Sequence, residues 1–380
     1  MLKLGVIGCG ARMTGVVKKI LDAGAGNVVL TCVCDTDIER VKRVNLNEER
    51  FSSVRYYSDA EEMLKNEELD GVCIGTRCST HTKYALLVAE YGLPMFLEKP
   101  VCTSYEDLER LKTIAFMDKK TVVSFPLRNT KLVNFVKELV DSGKLGNIEH
   151  IQAYNNVTYA RGYYHKWYRD ENETGGLFLQ KATHDLDYIN HILNGLRPVR
   201  LCAMKSKQIF KGDKPAGLKC ADCPEAADCP ESPANVYKAG DMRPKGEYCC
   251  FAVDTGNEDS GSVIIEYESG MHVVYSQDFI VRNGASKRGA RLIGYKGTLE
   301  FDWYKDTVTV YRHDADVVET HKLGKTEGAH FGGDAALAEN FVKVMEGKAD
   351  SIAPLSEGIS SAALCLAAKR SAEEHIFIDL

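Results

Sequence analysis

A lysine stands between an acid and a proline at the point where a short apolar stretch ends. The stretch is Met95-Phe96-Leu97, and it runs directly into Glu98-Lys99-Pro100. Because ligands of open parallel sheets collect at the carboxyl ends of the strands, Lys99 is expected to point into a cleft. Pro100 lacks a backbone N–H and has a fixed φ, so it ends the strand and holds the lysine in place. The simpler alternative is a strand-end salt bridge followed by a turn proline.

A second polar group, much further along the chain, could accept a proton. Lys181, His184 and Asp185 lie in the stretch 175–193, which is predicted to be helical, and their spacing places them near one face. A neutral imidazole can take a hydroxyl proton near neutral pH, while a cation such as Lys99 would polarise the oxygen. The alternative for His184 is a core histidine on an amphipathic helix.

The elements that would position Lys99 begin at a glycine turn. An apolar strand, residues 4–7, leads into Gly8-Cys9-Gly10-Ala11-Arg12-Met13, and a helix is predicted over 16–23. Glycines let the backbone approach a pyrophosphate closely, and a helix N-terminus supplies N–H donors. Met13 stands where the third glycine or alanine of G-x-G-x-x-G belongs, so the pattern is incomplete. We assign a dinucleotide site to Gly8, Gly10, Ala11, Arg12 and Met13.

An acid at the end of the second apolar strand supports this assignment. Residues 28–34 end at Asp35, where a carboxylate would bind the ribose hydroxyls of an adenosine. Thr36 and Asp37 follow in place of arginine or serine, so a 2′-phosphate would meet two acids, and NAD is expected rather than NADP. The alternative is that Asp35 caps the next helix.

Strand-like and helix-like stretches alternate from the N-terminus to about residue 125, which predicts an α/β, doubly wound parallel sheet. Thr76 ends the fourth strand, where it would contact the cofactor. His81 begins the following helix, as a ligand contact or as a cap or surface group. We therefore predict a dinucleotide-binding Rossmann domain over 1–125 and a second domain over 126–380.

Composition limits the function classes. The 380 residues are 44% hydrophobic and 27% charged, a globular mix long enough for two domains. A net charge of −6 argues against a nucleic-acid partner, and no apolar run reaches the length of a membrane span. The first residues lack the pattern of a signal peptide, so a cytoplasmic location without a membrane partner is expected.

The motifs together resemble those of the Gfo/Idh/MocA family. The matching positions are the Gly-x-Gly turn, Asp35, the Thr76…His81 spacing, Glu98-Lys99-Pro100, Gly175-Gly176 leading to His184-Asp185, and His330-Phe331-Gly332-Gly333-Asp334. The resemblance implies an NAD(P)-dependent oxidoreductase of sugars, inositols or related polyols, with Lys99 and His184 catalytic and Glu98 and Lys99 also at the cofactor. It further implies a C-terminal α+β domain with an open, mostly antiparallel sheet, and a homodimer or homotetramer.

One position departs from the family pattern. The family acid four residues before the histidine is Gln180 here, so the acid–histidine relay is broken, and Lys181 is assigned part of its work. This keeps open an NAD-dependent glycoside hydrolase that acts by transient oxidation, elimination, hydration and re-reduction. A non-catalytic nucleotide-binding regulator is a third possibility.

Substrate contacts are assigned to an aromatic and cationic loop over 159–169. Its members Arg161, Trp167 and Arg169 suit sugar rings, hydroxyls and carboxylates, and the alternative is a surface loop covering the core. Lys181 and His184 belong to the same predicted site, and the resemblance adds Arg128.

Cysteines are concentrated in an insert at about 205–250. Cys220, Cys223 and Cys229 follow a C-x2-C-x5-C spacing, and Cys250 would complete a tetrahedral structural zinc site. An iron–sulfur cluster and a loop of free thiols are the alternatives.

Overall fold

The computed structural model describes residues 1–158, 161–238, 246–324 and 329–380. Three stretches of the predictions lie outside these residues: positions 159–160 of the aromatic loop, positions 239–245 of the cysteine-rich insert, and positions 325–328. The described chain divides into two compact units. Unit 1 contains Met1–Asn134, Leu186–Tyr188 and Lys325–Ala363, and unit 2 contains Phe135–Asp185, Ile189–Gly324 and Leu364–Leu380.

The strands, in chain order, are β1 (Leu2–Ile7), β2 (Val28–Cys34), β3 (Arg55–Tyr57), β4 (Gly71–Ile74), β5 (Met95–Leu97), β6 (Thr121–Val123), β7 (Ile148–Asn156), β8 (Pro198–Ser206), β9 (Ser260–Tyr267), β10 (His272–Asp278), β11 (Lys287–Gly294), β12 (Gly297–Asp302), β13 (Thr307–Arg312), β14 (Val318–Lys322) and β15 (Ile378–Asp379). The α-helices are α1 (Ala11–Ala23), α2 (Ile38–Arg40), α3 (Ala60–Asn66), α4 (His81–Glu90), α5 (Tyr105–Lys112), α6 (Lys131–Asp141), α7 (Gly162–His165), α8 (Glu171–Thr174), α9 (Thr183–Ile192), α10 (Pro233–Lys238), α11 (Gly333–Met345) and α12 (Leu355–Glu374).

Unit 1 is built on a parallel sheet with the order β3-β2-β1-β4-β5-β6. The order reverses on either side of β1, as in a doubly wound dinucleotide-binding fold. The predicted fold class is therefore confirmed. Strands β4, β5 and β6 are buried along their whole length, which explains why they appear in the sequence as continuous apolar runs.

Helix α11 is part of unit 1 although it comes from the far end of the sequence. Phe341 of α11 packs edge to face on Phe96 of β5, with 5.8 Å between the ring centroids. A Cβ on Gly71 would lie 2.6 Å from the Met345 sulfur, so only a glycine lets this helix approach β4 so closely. Unit 1 thus extends beyond the predicted 1–125 domain, because its core recruits later segments.

Unit 2 contains a nine-stranded sheet with the order β14-β13-β12-β11-β7-β10-β9-β8-β15. Among the strand pairs of the described residues, the β7–β10 pair alone is parallel, so the expected open, mostly antiparallel sheet is confirmed. The strand pairs β9–β10 and β11–β12 are antiparallel hairpins. In β9, buried and exposed side chains alternate, which leaves one face of that strand on the core.

The stretch 175–193 is helical, as predicted, but it begins irregularly. Residues Phe178–Ala182 form a π-helical turn that continues into α9, and most of their side chains are buried. Gly175 and Gly176 precede this turn with φ of 77° and 91°, backbone conformations that glycine adopts readily. No helix within the described ranges is both apolar and long enough to cross a bilayer.

Candidate active site

The glycine turn after β1 has the form that a pyrophosphate site requires. Gly8 has φ +81°, and a Cβ there would lie 2.7 Å from the backbone nitrogen of Thr76. A Cβ on Gly10 would meet nothing within 4 Å, so the backbone is open on that side. Helix α1 starts at Ala11, and Gly10, its N-cap, makes no side-chain capping hydrogen bond. The turn therefore fits a dinucleotide, whose pyrophosphate would approach the helix N-terminus at Gly10 and Ala11.

The missing third glycine is compensated on the neighbouring strand. Met13 is buried, and a Cβ on Gly75 would lie 2.7 Å from the Cβ of Met13. In the complete fingerprint the third glycine permits close packing of helix and strand. Here the space is provided by Gly75, just after β4, so the Met13 side chain packs between the helix and the strand, and its place at the dinucleotide stays a prediction.

Asp35 lies at the end of β2 and closes the glycine turn. Its carboxylate accepts hydrogen bonds from the backbone N–H of Cys9 at 2.8 Å and of Asp37 at 2.9 Å. Arg40 lies beside it, with 3.6 Å between the guanidinium and the carboxylate. Each carboxylate oxygen has two acceptor positions, so Asp35 can still accept from ribose hydroxyls.

Glu98 and Arg12 connect the Lys99 segment to the glycine turn. Arg12 Nε donates to Glu98 Oε1 at 2.9 Å, and Ser124 donates to the same oxygen at 3.1 Å. Arg12 also pairs with Asp334 through both terminal nitrogens, at 2.9 and 2.7 Å. Glu98 and Asp334 are buried, so Arg12 is their counter-ion and positions the backbone next to Lys99.

His81 contacts the backbone of the segment that carries Lys99, and Thr76 lies next to it. The His81 ring lies 2.7 Å from the Pro100 carbonyl oxygen and 3.3 Å from that of Thr76, and it is buried. Burial lowers the pKa of His81, so the ring is neutral near pH 7. His81 thus supports Pro100, and its contact with the cofactor stays a prediction. The Thr76 hydroxyl accepts from Thr80 at 2.8 Å and lies two residues beyond the end of β4, and its contact with the cofactor stays a prediction.

Unit 2 brings Lys181, His184 and Asp185 to the buried start of α9. Burial, assisted by the Arg288 guanidinium and opposed by Asp185, lowers the pKa of Lys181 to about 7. The amine also lies 5.0 Å above the ring of Tyr163. Lys181 can thus exchange a proton near neutral pH, which an ordinary lysine cannot do.

Asp185 is the centre of a hydrogen-bond network that the sequence did not reveal. It accepts from Asn155 at 2.8 Å, from the Tyr275 hydroxyl at 3.0 Å and from Arg288 Nε at 2.8 Å. Asn155, Tyr275 and Arg288 come from β7, β10 and β11, so the network fixes α9 on the sheet. Their only sequence signal was a polar side chain on the inward face of a strand.

Known protein families match both the N-terminal and the C-terminal part of the chain. A family model for the NAD-binding Rossmann fold of the Gfo/Idh/MocA oxidoreductases matches residues 2–125, and the model for their C-terminal alpha/beta domain matches residues 137–380. The chain belongs to the Gfo/Idh/MocA oxidoreductase family. It is accordingly an NAD-binding oxidoreductase.

Relatives of this family member include inositol and sugar dehydrogenases. YteT of Bacillus subtilis, which is named as an oxidoreductase, is 24% identical over 366 residues and covers 85% of this chain and 84% of its own. An inositol 2-dehydrogenase of Pseudomonas fluorescens is 24% identical over 51% of this chain and 55% of its own length. The solved structure of a levoglucosan dehydrogenase with NADH and levoglucosan has a TM-score of 0.76 at 17% identity, over 100% and 99% of the two chains. That likeness shows the shared fold.

Two arginines that were predicted to bind substrate form ion pairs with acidic residues of the chain itself. Arg128 is buried and pairs with Asp187 through two nitrogens, one of them at 3.0 Å, and lies 3.3 Å from Glu357. Arg169 is also buried, and its guanidinium contacts Asp254 and the Thr255 hydroxyl, the latter at 2.8 Å. Both guanidinium groups thus belong to internal ion pairs, and the substrate role of the two residues stays a prediction.

The two other predicted members of the aromatic loop lie nearer the surface. Trp167 is half-buried and stacks on Tyr168 with 3.9 Å between the ring centroids. Arg161 pairs with Glu231, with 3.2 Å between Nε and Oε2. Their substrate role stays a prediction.

The predicted site of Cys220, Cys223, Cys229 and Cys250 is not among the close ligand groups of the described residues, and it stays a prediction. Within the described residues, the one group of three or more potential ligands with atoms within 4.8 Å of one another is His165, Glu231 and Cys250. Cys220, Cys223 and Cys229 are half-buried free thiols outside that group. Burial, and then Glu231 and the thiols of Cys249, Cys229 and Cys220, raise the pKa of the Cys250 thiol, so these cysteines lie in the same part of unit 2.

Proposed function

We propose that the chain is an NAD-dependent dehydrogenase that transfers hydride between a hydroxyl-bearing carbon of a sugar, inositol or related polyol and nicotinamide. The observation that carries this proposal is the anchoring of Glu98, beside Lys99, to Arg12 of the dinucleotide turn. The names of the inositol and levoglucosan dehydrogenases support the substrate class. Redox-neutral glycoside cleavage gains no support from these relatives.

Lys99 is assigned the task of stabilising the substrate oxygen. It is half-buried directly after β5, where a side chain of a parallel sheet reaches the ligand edge. An ammonium group donating to a hydroxyl oxygen favours the alkoxide character that develops as hydride leaves the carbon. Bound NAD supplies the hydride acceptor, and the chain supplies orientation and charge.

Proton transfer is assigned to His184 and Lys181. Both are buried at the start of α9, and Asp185 anchors that helix to the sheet of unit 2. A neutral imidazole can accept the hydroxyl proton, and an amine with a pKa of about 7 can pass a proton on at working pH. The family carries an acid at the position of Gln180, and Lys181 is assigned part of the proton transfer that this acid would perform.

The experiment is a panel of sugars, polyols and aryl glycosides, followed by NADH absorbance and by released aglycone. NADH that accumulates in proportion to oxidised substrate supports the dehydrogenase. Aglycone released without net NADH would instead establish the hydrolase. With an accepted substrate, Lys99→Met should lower kcat/KM by about a hundredfold or more. Lys83→Met, an exposed lysine on α4, is the matched control, and unchanged turnover in Lys99→Met would refute the role of Lys99.

We also propose that copies of the chain assemble through the exposed face of the unit 2 sheet. Met204 on β8 and Ile264 on β9 are 75% and 46% exposed, and Val274 on β10 pairs with Ile264 in register. An apolar patch on an open sheet suits a second copy of the same chain. Light scattering after size-exclusion chromatography should show a dimer or tetramer, and Ile264→Lys should shift it toward the monomer.

A further inference from the structure

Three side chains of different ligand chemistry meet in unit 2. His165 ends α7, Glu231 precedes α10, and Cys250 lies near the start of the described segment that begins at residue 246. One ligand atom from each of the three lies within 4.8 Å of the other two. His165 and Cys250 are buried, and Glu231 has 13% of its side chain exposed.

The tautomer of His165 is set by its backbone partner. Nδ1 lies 2.7 Å from the carbonyl oxygen of Tyr248, which can only accept, so Nδ1 carries the proton. In the neutral ring Nε2 then presents a lone pair, and it lies 3.8 Å from Glu231 Oε2. Nε2 is buried and has no hydrogen-bond partner among the described residues. A buried acceptor without a donor calls for a ligand at that point.

The third group, Cys250, lies in an apolar surrounding. It belongs to a buried cluster whose other members are Val157, Tyr164, Leu177, Phe210 and Phe279. This shell excludes water on one side and keeps the local dielectric low, which strengthens bonds between a cation and its ligands.

We propose that His165 Nε2, Glu231 and Cys250 Sγ bind one divalent transition-metal ion, with zinc favoured. Imidazole nitrogen, carboxylate oxygen and thiolate sulfur are the ligand types that zinc accepts together. A thiolate and a carboxylate supply two negative charges, which balance a divalent ion. Binding releases the thiol proton of Cys250 to solvent, and three protein ligands leave a fourth position for water or another donor. The ion would join the segments that carry His165, Glu231 and Cys250.

Two arginines offer the competing explanation for Glu231. Arg161 Nε lies 3.2 Å from Oε2 and Arg282 Nη2 lies 3.5 Å from Oε1, so the carboxylate could serve only as their counter-ion. Their charge weakens the hold on a cation. They also keep the carboxylate ionised and oriented, as the outer partners of ligating carboxylates do. The counter-ion explanation leaves His165 Nε2 without a partner and predicts a protein without metal.

The test is metal binding by the full chain. The purified protein is stripped with a chelator, reloaded with Zn²⁺ or Co²⁺, and measured by elemental analysis and by Co²⁺ absorption. We expect one metal per chain and a thiolate-to-cobalt charge-transfer band. Cys250→Ser and His165→Gln should each weaken binding by about tenfold or more. Cys202→Ser, a half-buried thiol on β8, is the matched control and should bind like the wild type.

X-ray absorption of the wild-type protein identifies the ligand atoms of the bound metal, so it tests the proposal even if a variant does not fold. One sulfur with nitrogen and oxygen neighbours supports the proposed site, whereas four sulfurs would overturn it. Substoichiometric metal with no charge-transfer band would overturn it as well. So would metal that survives in Cys250→Ser but is lost in the double variant Cys220→Ser/Cys223→Ser. Binding of NADH, followed by its fluorescence, confirms in each case that the variant has retained unit 1.

Discussion

Arg12 and Asp334 form a two-pronged ion pair although 322 positions separate them in the sequence. Arg12 belongs to the first turn of α1, beside the dinucleotide turn, and Asp334 to the first turn of α11. Burial alone would raise the pKa of Asp334, but hydrogen bonds from His330 and Arg12 hold it well below its usual range. Because Arg12 also binds Glu98, this pair ties α11 to the segment that carries Lys99.

Replacing Arg12 by methionine should destabilise unit 1. The substitution leaves Glu98 and Asp334 buried without their counter-ion, which corresponds to a loss of about 2–4 kcal/mol in the free energy of unfolding. It should also weaken NADH binding, because Glu98 is no longer held against the glycine turn. Urea unfolding and NADH fluorescence measure the two effects separately.

The control for this prediction is Arg12→Lys. It keeps the charge but cannot form the planar fork to Asp334 and the bond to Glu98 together, so its loss should be smaller and still measurable. If Arg12→Met unfolds at the same urea concentration as the wild type, the pair does not support the fold.

Asp35 should set the preference for NAD over NADP. Asp35→Ser removes the charge that would repel a 2′-phosphate, and Arg40 remains nearby as a phosphate partner. The ratio of kcat/KM for NADP to that for NAD should rise by about 10- to 100-fold, which corresponds to about 1.4–2.8 kcal/mol. Asp37→Asn is the matched comparison and should change the ratio less, since Asp37 is exposed and instead caps α2. An unchanged ratio in Asp35→Ser would remove Asp35 from the ribose site.

Features that depend on neighbouring residues could be predicted from the sequence, whereas contacts between residues distant in the sequence could not. Gly8, Gly10 and Asp35 could be placed because a tight turn and a strand end are local properties of the backbone. The compensation of Met13 by Gly75 and the partners of Asp185 could not, since they depend on which strands become neighbours. An isolated arginine in a sequence looks the same whether it faces a ligand or a buried acid.

Lys181 should impose a pH dependence on turnover. With a pKa of about 7, its amine becomes neutral as the pH rises through that value, and only the neutral amine can accept a proton. We expect kcat/KM for oxidation to rise through pH 7 and this limb to disappear in Lys181→Met. Lys343→Met, an exposed lysine on α11, should keep the wild-type profile.

The same group predicts the sign of a stability change. The folded pKa of about 7 lies below the ordinary lysine value of 10.5, so between these pH values the unfolded chain binds a proton that the folded chain does not. The free energy of unfolding should therefore increase with pH across this window, and the increase should be smaller in Lys181→Met. Equal slopes in the two proteins would mean that the amine is solvated in the folded state.

Arg128 and Asp187 should behave as a structural pair. Arg128→Met leaves the Asp187 carboxylate buried without its partner, which should lower the free energy of unfolding by about 3–5 kcal/mol. The double variant Arg128→Met/Asp187→Leu removes both charges and should recover most of that loss, because a buried pair can be replaced by apolar residues of similar size. A substrate-binding Arg128 would give the opposite pattern. In that case Arg128→Met would raise KM with little change in unfolding, and the second substitution would not restore it.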